Sequence, residues 1–404
     1  MNNLPAKRIV NVEADGHRST LSVWLGSYIL PLGLFALLTG MFWIGDRSLY
    51  HKLFYVSVAL PAFLALLVRP TLLREISCSP IGLPFLAFSA FTLISIQWSG
   101  TDTDTWSLIK RPLYVLLLFI AVIAIEQTRP QRIRQVLVAA TVVAVIAAAV
   151  SLRMFVQIEE ARLPGHGALY NPLLTSHVFG FFMALSVATW IVQRGAFPLP
   201  TIAACALLGT VLLATGSRTP LVGISVTAVW LAALSGDRRG LAAVAVLAAV
   251  GLLVVAWAPD LLVSRGFSYR PEIWNEALRQ IMEAPVFGRG YEHPLQIQVE
   301  GFAYAFTDPH NIVLAVLYHG GLVGLGLWLW LYGAAVFSCW QHRHQPIVFV
   351  CSAALIYGLA ASMTEGRAFL SRPKEHWFLI WIPLALVTAT TLASGARRSR
   401  NHPG

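Results

Sequence analysis

HNIVLAVLYHGGLVGLGLWLWLYGAAVFSCW, residues 310–340, contains no Asp, Glu, Lys or Arg. An uncharged run of that length exceeds the ~20 residues a helix needs to cross a bilayer, and it marks the chain as one built in lipid. Outward from it, apolar runs recur at 22–44, 53–69, 80–98, 112–126, 133–153, 169–193, 197–215, 219–235 and 240–258 on the N-terminal side, and at 347–364 and 376–393 beyond. Hydrocarbon offers backbone groups no water, so such runs are expected to be helices. The spacing predicts an all-α polytopic membrane protein of about 12 transmembrane helices. Composition agrees, with 57% hydrophobic residues, 12% charged and a mean hydropathy of +0.67, which excludes a soluble multi-domain enzyme.

Three parts follow from this pattern. Residues 1–258 carry the first nine runs, 259–309 form one large loop between helices 9 and 10, and 310–404 carry the last three runs and a basic tail. The first ~20 residues are polar and the first apolar run is followed by many others, so it reads as a span and not as a cleaved signal. An even number of spans puts both termini on one side. Lys7, Arg8, Arg18, Arg397, Arg398 and Arg400 lie there, as do Arg69, Arg74, Arg129, Arg132, Arg134, Arg194, Arg238, Arg239 and Arg343 in short turns. The positive-inside rule assigns that face to the cytoplasm. The net charge of +10 then belongs to a membrane face, and no nucleic-acid partner is expected. Cys78, Cys205, Cys339 and Cys351 fall in spans or inner turns, so no disulfide framework is expected.

The large loop is the exception among short connections, and loops of that length in a compact fold are usually functional. Within it, YRPEIWNEALRQIMEA (269–284) places Ile273, Trp274, Ala277, Leu278, Ile281 and Met282 at helical spacing. An amphipathic helix is expected there, either on the membrane surface or capping the bundle. The glycines of PVFGRGY (285–291) either make a turn or let the backbone approach a ligand closely.

Two groups of residues bear chemistry. Arg218, in the tight turn ATGSRTP (214–220), either snorkels to headgroups or binds an anion. With Arg265, Arg270, Arg289, Arg367, Arg372 and Lys374 it makes an outer basic set suited to a polyanion, because guanidinium forks bind phosphate oxygens bidentately. His310, in Asp308-Pro309-His310-Asn311, either caps a helix or serves as a general base, with Asp308 or Asn311 to orient it. Trp274 either stacks on a sugar or anchors at the interface. Asp102-x-Asp104 could hold a metal, but two carboxylates without a third ligand make a thin site, and neither metal nor cofactor is expected.

The unit RPEIW (270–274), GRG (288–290), HN (310–311) and GLVG (321–324), with TGSRT (215–219) upstream, resembles the shared C-terminal region of the O-antigen ligase and polymerase superfamily. What the resemblance implies is an inner-membrane glycosyltransferase of lipopolysaccharide biosynthesis with its large loop in the periplasm. Its donor would be a glycan on undecaprenyl diphosphate, its acceptor a sugar hydroxyl of lipid A-core, and membrane lipids its surroundings. His310 would be the catalytic base, Arg218 and Arg270 the diphosphate clamp, with Arg265 and Arg289 as further candidates. One base and direct attack would invert the anomeric carbon. A polymerase using the same donor is the alternative, since Arg279 and Gly290 satisfy R-x10-G. A lipid or polysaccharide transporter is a more distant one, as it would need charges at mid-membrane.

Overall fold

The computed structural model describes residues 20–193, 199–257, 269–366 and 369–401. Every apolar run named above lies on a helix: α1 (Thr20–Trp43), α2 (Arg47–Val68), α3 (Thr71–Ser77) with α4 (Gly82–Trp98), α5 (Thr105–Thr128), α6 (Gln131–Phe155), α7 (Pro172–Val192), α8 (Leu199–Ala214), α9 (Thr219–Ser235), α10 (Arg238–Trp257), α12 (Ile312–Gln341), α13 (Pro346–Ser362) and α14 (His376–Gly395). The amphipathic segment of the large loop is α11 (Arg270–Ile281). Among the described residues the β content is one antiparallel bridge, Ile297 to Phe306.

Seven of these helices are long and apolar enough to cross a membrane, or eight if α3 and α4, bent by 88°, are one broken span. That is fewer full crossings than the apolar runs suggest. Helices α8, α9 and α13 have 16, 17 and 17 residues, only about 24–26 Å of rise against a hydrocarbon core of ~30 Å. Local chemistry cuts α9 and α13 short. Pro220 and Pro346 start α9 and α13, and Gly236, in the left-handed region at φ +58, stops α9.

Lipid and protein faces separate cleanly. Along α6, Val138, Val142, Ile146 and Val150 are exposed at four-residue spacing, a stripe that faces hydrocarbon. Helices α7 and α14 are instead mostly buried and form the centre. There, Tyr357 of α13 fills a gap left by Gly180 of α7 and Gly223 of α9 and donates its hydroxyl to the Ser176 carbonyl at 3.1 Å. Small residues let the three helices close around one ring, the packing device that works where lipid supplies no hydrophobic drive.

The large loop sits on one end of this bundle. Ile273, Ala277 and Ile281 of α11 are buried against Leu295, Ile297 and Val299 and against Leu314 and Tyr318 of α12. Leu278 and Met282, expected on the same face, are exposed. The buried stripe is therefore narrower than the sequence pattern, and α11 caps the start of α12.

The glycines join loop to helix. At Gly321 (φ +59, ψ −159) α12 is broken, which frees backbone groups on either side. Residues 285–290 enter the break. Arg289 N–H donates to the Tyr318 carbonyl (2.8 Å) and Gly290 N–H to that of His319 (2.9 Å), while Leu322 and Val323 donate to Pro285 (2.8 Å) and Val286 (3.1 Å). A Cβ on Gly288 would lie 2.5 Å from the Gly320 and Gly321 nitrogens, and one on Gly321 would lie 2.6 Å from the Gly288 nitrogen. The GRG and GLVG motifs thus form one joint in which loop backbone replaces the missing turn of a helix, while Gly324 packs against Phe91.

Candidate active site

The loop end of the bundle is built by a repeated N-capping pattern. Asp46, Asp104, Asn171 and Asn311 each accept backbone N–H groups from the first turn of α2, α5, α7 and α12. At Asn311 the two distances are 2.9 Å to Val313 and 3.2 Å to Leu314. Asp104 is thereby engaged as a cap, at 2.8 Å from Ser107 N–H.

Immediately before Asn311, His310 sits at φ +50, a left-handed conformation that costs a non-glycine residue on the order of 1–3 kcal/mol. Three contacts hold the corner. Asp308 Oδ1 accepts the His310 backbone N–H at 2.8 Å, Asn311 starts the helix, and Trp274 Nε1–H of α11 donates to the Pro309 carbonyl at 2.9 Å. Asp308 and Asn311, considered from sequence as partners of the ring, both bond the backbone, and of the two only Asp308 also acts on the ring, through its charge.

The ring itself is met by Glu365, just beyond α13. Its Oε1 lies 3.0 Å from His310 Nδ1, and its Oε2 lies 3.6 Å from an Arg270 guanidinium nitrogen. Glu365 is buried, whereas His310 and Arg270 keep about a quarter to a third of their side-chain surface open, at 30% and 25%. Burial works against the charged imidazolium. The hydrogen bond and charge of Glu365, helped by Asp308 and opposed by Arg270, outweigh it and hold the His310 pKa above its ordinary value.

The TGSRT turn reaches the same place from the other side. Thr364 Oγ1 donates to Thr219 Oγ1 at 3.1 Å, tying the start of α9 to the residue before Glu365. Arg218, half-buried at the N-cap of α9, is adjacent to that bond. Structure therefore brings together His310, Arg270, Trp274, Asp308 and Asn311, with the Arg218 turn joined through Thr364.

Other basic residues go elsewhere. Arg289 pairs with Glu283, and its backbone is fixed at Tyr318, about two turns along α12 from His310. Arg279 pairs with Glu276 (2.6 Å) and Glu283 (3.5 Å) on the exposed side of α11. Arg372 faces His51 of α2. Arg265 and Arg367 lie outside the described residues.

Glu365 is a site residue that the sequence does not single out, because nothing in the chain order shows that a carboxylate 55 positions later faces His310. The signal was present as an acidic residue ending an apolar helix on the outer side. Behind it, His177 is wholly buried in α7, edge-on to the ring of His376 at 5.7 Å between centroids. Asp308, His310 and Glu365 also form the one group among the described residues whose ligand atoms lie close enough for a metal, within 4.8 Å of one another. Asp102 and Asp104 are not part of it.

Many lipid-length helices with a charged corner at one end of the bundle define a multi-pass membrane protein. A family model described as O-antigen ligase matches residues 203–329, from α8 to the middle of α12, and includes Arg218, Arg270, Arg289 and His310. An O-antigen ligase of Pseudomonas aeruginosa (strain PAO1) is 48% identical over 379 residues, covering 93% of this chain and 94% of the relative. The chain belongs to the O-antigen ligase family.

Proposed function

We propose that this protein is a glycosyltransferase that moves an O-antigen glycan from undecaprenyl diphosphate to a sugar hydroxyl of lipid A-core, at the periplasmic face of the bacterial inner membrane with both termini in the cytoplasm. The observation that supports it most directly is the shared carboxylate: Glu365 contacts His310 Nδ1 at 3.0 Å and Arg270 at 3.6 Å. With Nδ1–H donated to Glu365, the lone pair of Nε2 is left to accept a proton.

The step balances as follows. The acceptor O–H gives its proton to His310 Nε2, its oxygen attacks the anomeric carbon, and the bond from that carbon to the diphosphate oxygen breaks. The electron pair leaves with undecaprenyl diphosphate. Arg270 and Arg218 meet the charge that grows on the leaving oxygen, the type of preorganised stabilisation that usually dominates such catalysis. His310, now imidazolium, is stabilised by Glu365, and the anomeric carbon is inverted. Glycan on diphosphate is already activated, so no nucleotide is consumed.

The Asp308, His310 and Glu365 group is a poor fit for a resident metal. The Nδ1 atom and both Glu365 oxygens already face partners, Asp308 Oδ1 holds a backbone N–H, and the Arg270 cation stands where a second cation would be repelled. Purified protein given carrier-linked glycan and lipid A-core should form the joined lipid at the same rate with or without EDTA. Loss of transfer restored by a divalent ion would overturn the metal-free reading, and product confined to longer carrier-linked chains would make the protein a polymerase. Arg279, the residue of the polymerase-like pattern, is engaged by neighbouring carboxylates on the exposed side of α11. Arg279→Ala should leave transfer within about twofold of the parent, since exposed pairs of this kind contribute little. A tenfold loss in the same assay would restore the polymerase reading.

A further inference from the structure

Two arginines gather around one aromatic ring at the other end of the bundle. Arg111, near the start of α5, bonds Glu292 and Tyr291 of the large loop at 2.6 and 3.1 Å, which places that end of α5 at the loop. The 24 residues of α5 then carry the chain roughly 36 Å away, to Thr128 and Arg129. There, the guanidinium carbons of Arg129 and Arg132 stand 5.9 and 5.6 Å from the centre of the Tyr28 ring of α1. Among the described residues neither arginine meets a carboxylate, and Arg132 donates to Gln135 at 3.0 Å. Two cations gathered at one aromatic ring repel each other, and an anion between them would relieve that repulsion.

The space around them has two compartments. One, of about 480 Å³, is bounded by Thr128, Arg129, Pro130, Gln131, Arg132 and Gln135. The other, about 380 Å³, shares Arg132 and Gln135 and runs between α1 and α6 along Pro31, Leu32, Phe35, Val136 and Ala139, with Tyr28 at its mouth. A polar chamber with two arginines opens into an apolar groove, the shape of a headgroup followed by an acyl chain. Free phosphate would leave the groove empty, and a zwitterionic lipid would bring its own cation to the two arginines along with its phosphate.

We propose that the Arg129, Arg132 and Tyr28 corner binds an anionic phospholipid of the membrane, its phosphate at the arginines and one acyl chain in the α1–α6 groove. Basic pockets between membrane helices take anionic headgroups in this manner. The proposal does not rest on the role given to His310.

Native mass spectrometry of the full chain in detergent tests it, with phosphatidylglycerol or phosphatidylcholine of identical acyl chains added. Phosphatidylglycerol adducts should outnumber phosphatidylcholine adducts roughly tenfold and survive higher collision energy. The double variant Arg129→Gln with Arg132→Gln should remove the preference, and Arg129→Lys with Arg132→Lys should keep most of it, which separates lost charge from lost folding. Ala139→Phe, filling the groove, should weaken phosphatidylglycerol binding while the arginines remain. Equal retention of the two lipids, an unchanged preference in the double Gln variant, or displacement of the lipid by millimolar inorganic phosphate would each overturn the proposal.

Discussion

His310→Ala should lower glycan transfer by ~10²–10⁴-fold, the usual contribution of a positioned base, while the protein should still purify folded. The imidazole belongs to neither apolar cluster and its side chain is partly open, and the corner is held by bonds to the backbone of residues 308–311 that alanine keeps. The conservative companion is Glu365→Gln, which leaves a group that can still accept a hydrogen bond but removes the charge. In the parent, Glu365 raises the His310 pKa, so the neutral, proton-accepting form is lost as pH falls through a value above the ordinary histidine range. Without the carboxylate charge that value drops. The acid limb of the pH–rate profile should therefore move to lower pH in Glu365→Gln, and the maximal rate should fall because the imidazolium formed in the step is less stabilised. A residue that merely supported α13 would lower the rate at all pH values and leave the limb in place. Near-normal turnover in His310→Ala would remove the base from the mechanism altogether.

The helical architecture was legible because hydrophobicity at bilayer length is an additive, local signal that needs no partner. The number of full crossings was less so: Pro220 and Gly236 bound α9, and Pro346 starts α13, leaving both below bilayer length, and composition alone does not weigh a single proline against a run of leucines. At the site, residues with local grammar were readable. Pro271 begins α11, and His310 stands out because a polar ring at the mouth of an apolar helix is unusual, whereas Asn311, read from the sequence as a partner of that ring, caps α12 instead. Glu365 and the Thr364–Thr219 bond were not readable, since they depend on α9, α12 and α13 ending at one level of the bundle. The same holds for Arg289. As an arginine between two glycines it reads as a phosphate ligand, yet in the fold its side chain pairs with Glu283 and its backbone repairs α12.

That repair sets the second large effect, Gly288→Val. At φ +68 a β-branched side chain is strained, and its Cβ would stand 2.5 Å from the backbone nitrogens of Gly320 and Gly321. Those atoms cannot retreat without breaking the bonds from Arg289 and Gly290 to Tyr318 and His319, and from Leu322 and Val323 to Pro285 and Val286. Backbone strain and overpacking together cost roughly 2–6 kcal/mol. Gly301→Ala is the matched control: Gly301 also has positive φ, at +88, but nothing lies within 4 Å of its Cβ position. The expected result is a steep loss of thermal stability in detergent and rapid proteolysis between residues 285 and 309 for Gly288→Val, against a small shift for Gly301→Ala. Transfer should fall with the first and not with the second, because α11 and the Trp274 bond that steadies Pro309 belong to the same loop. Equal melting of the two variants would mean that the glycine joint is only a turn. The start of α12, and with it His310, would then owe its place to the bundle alone.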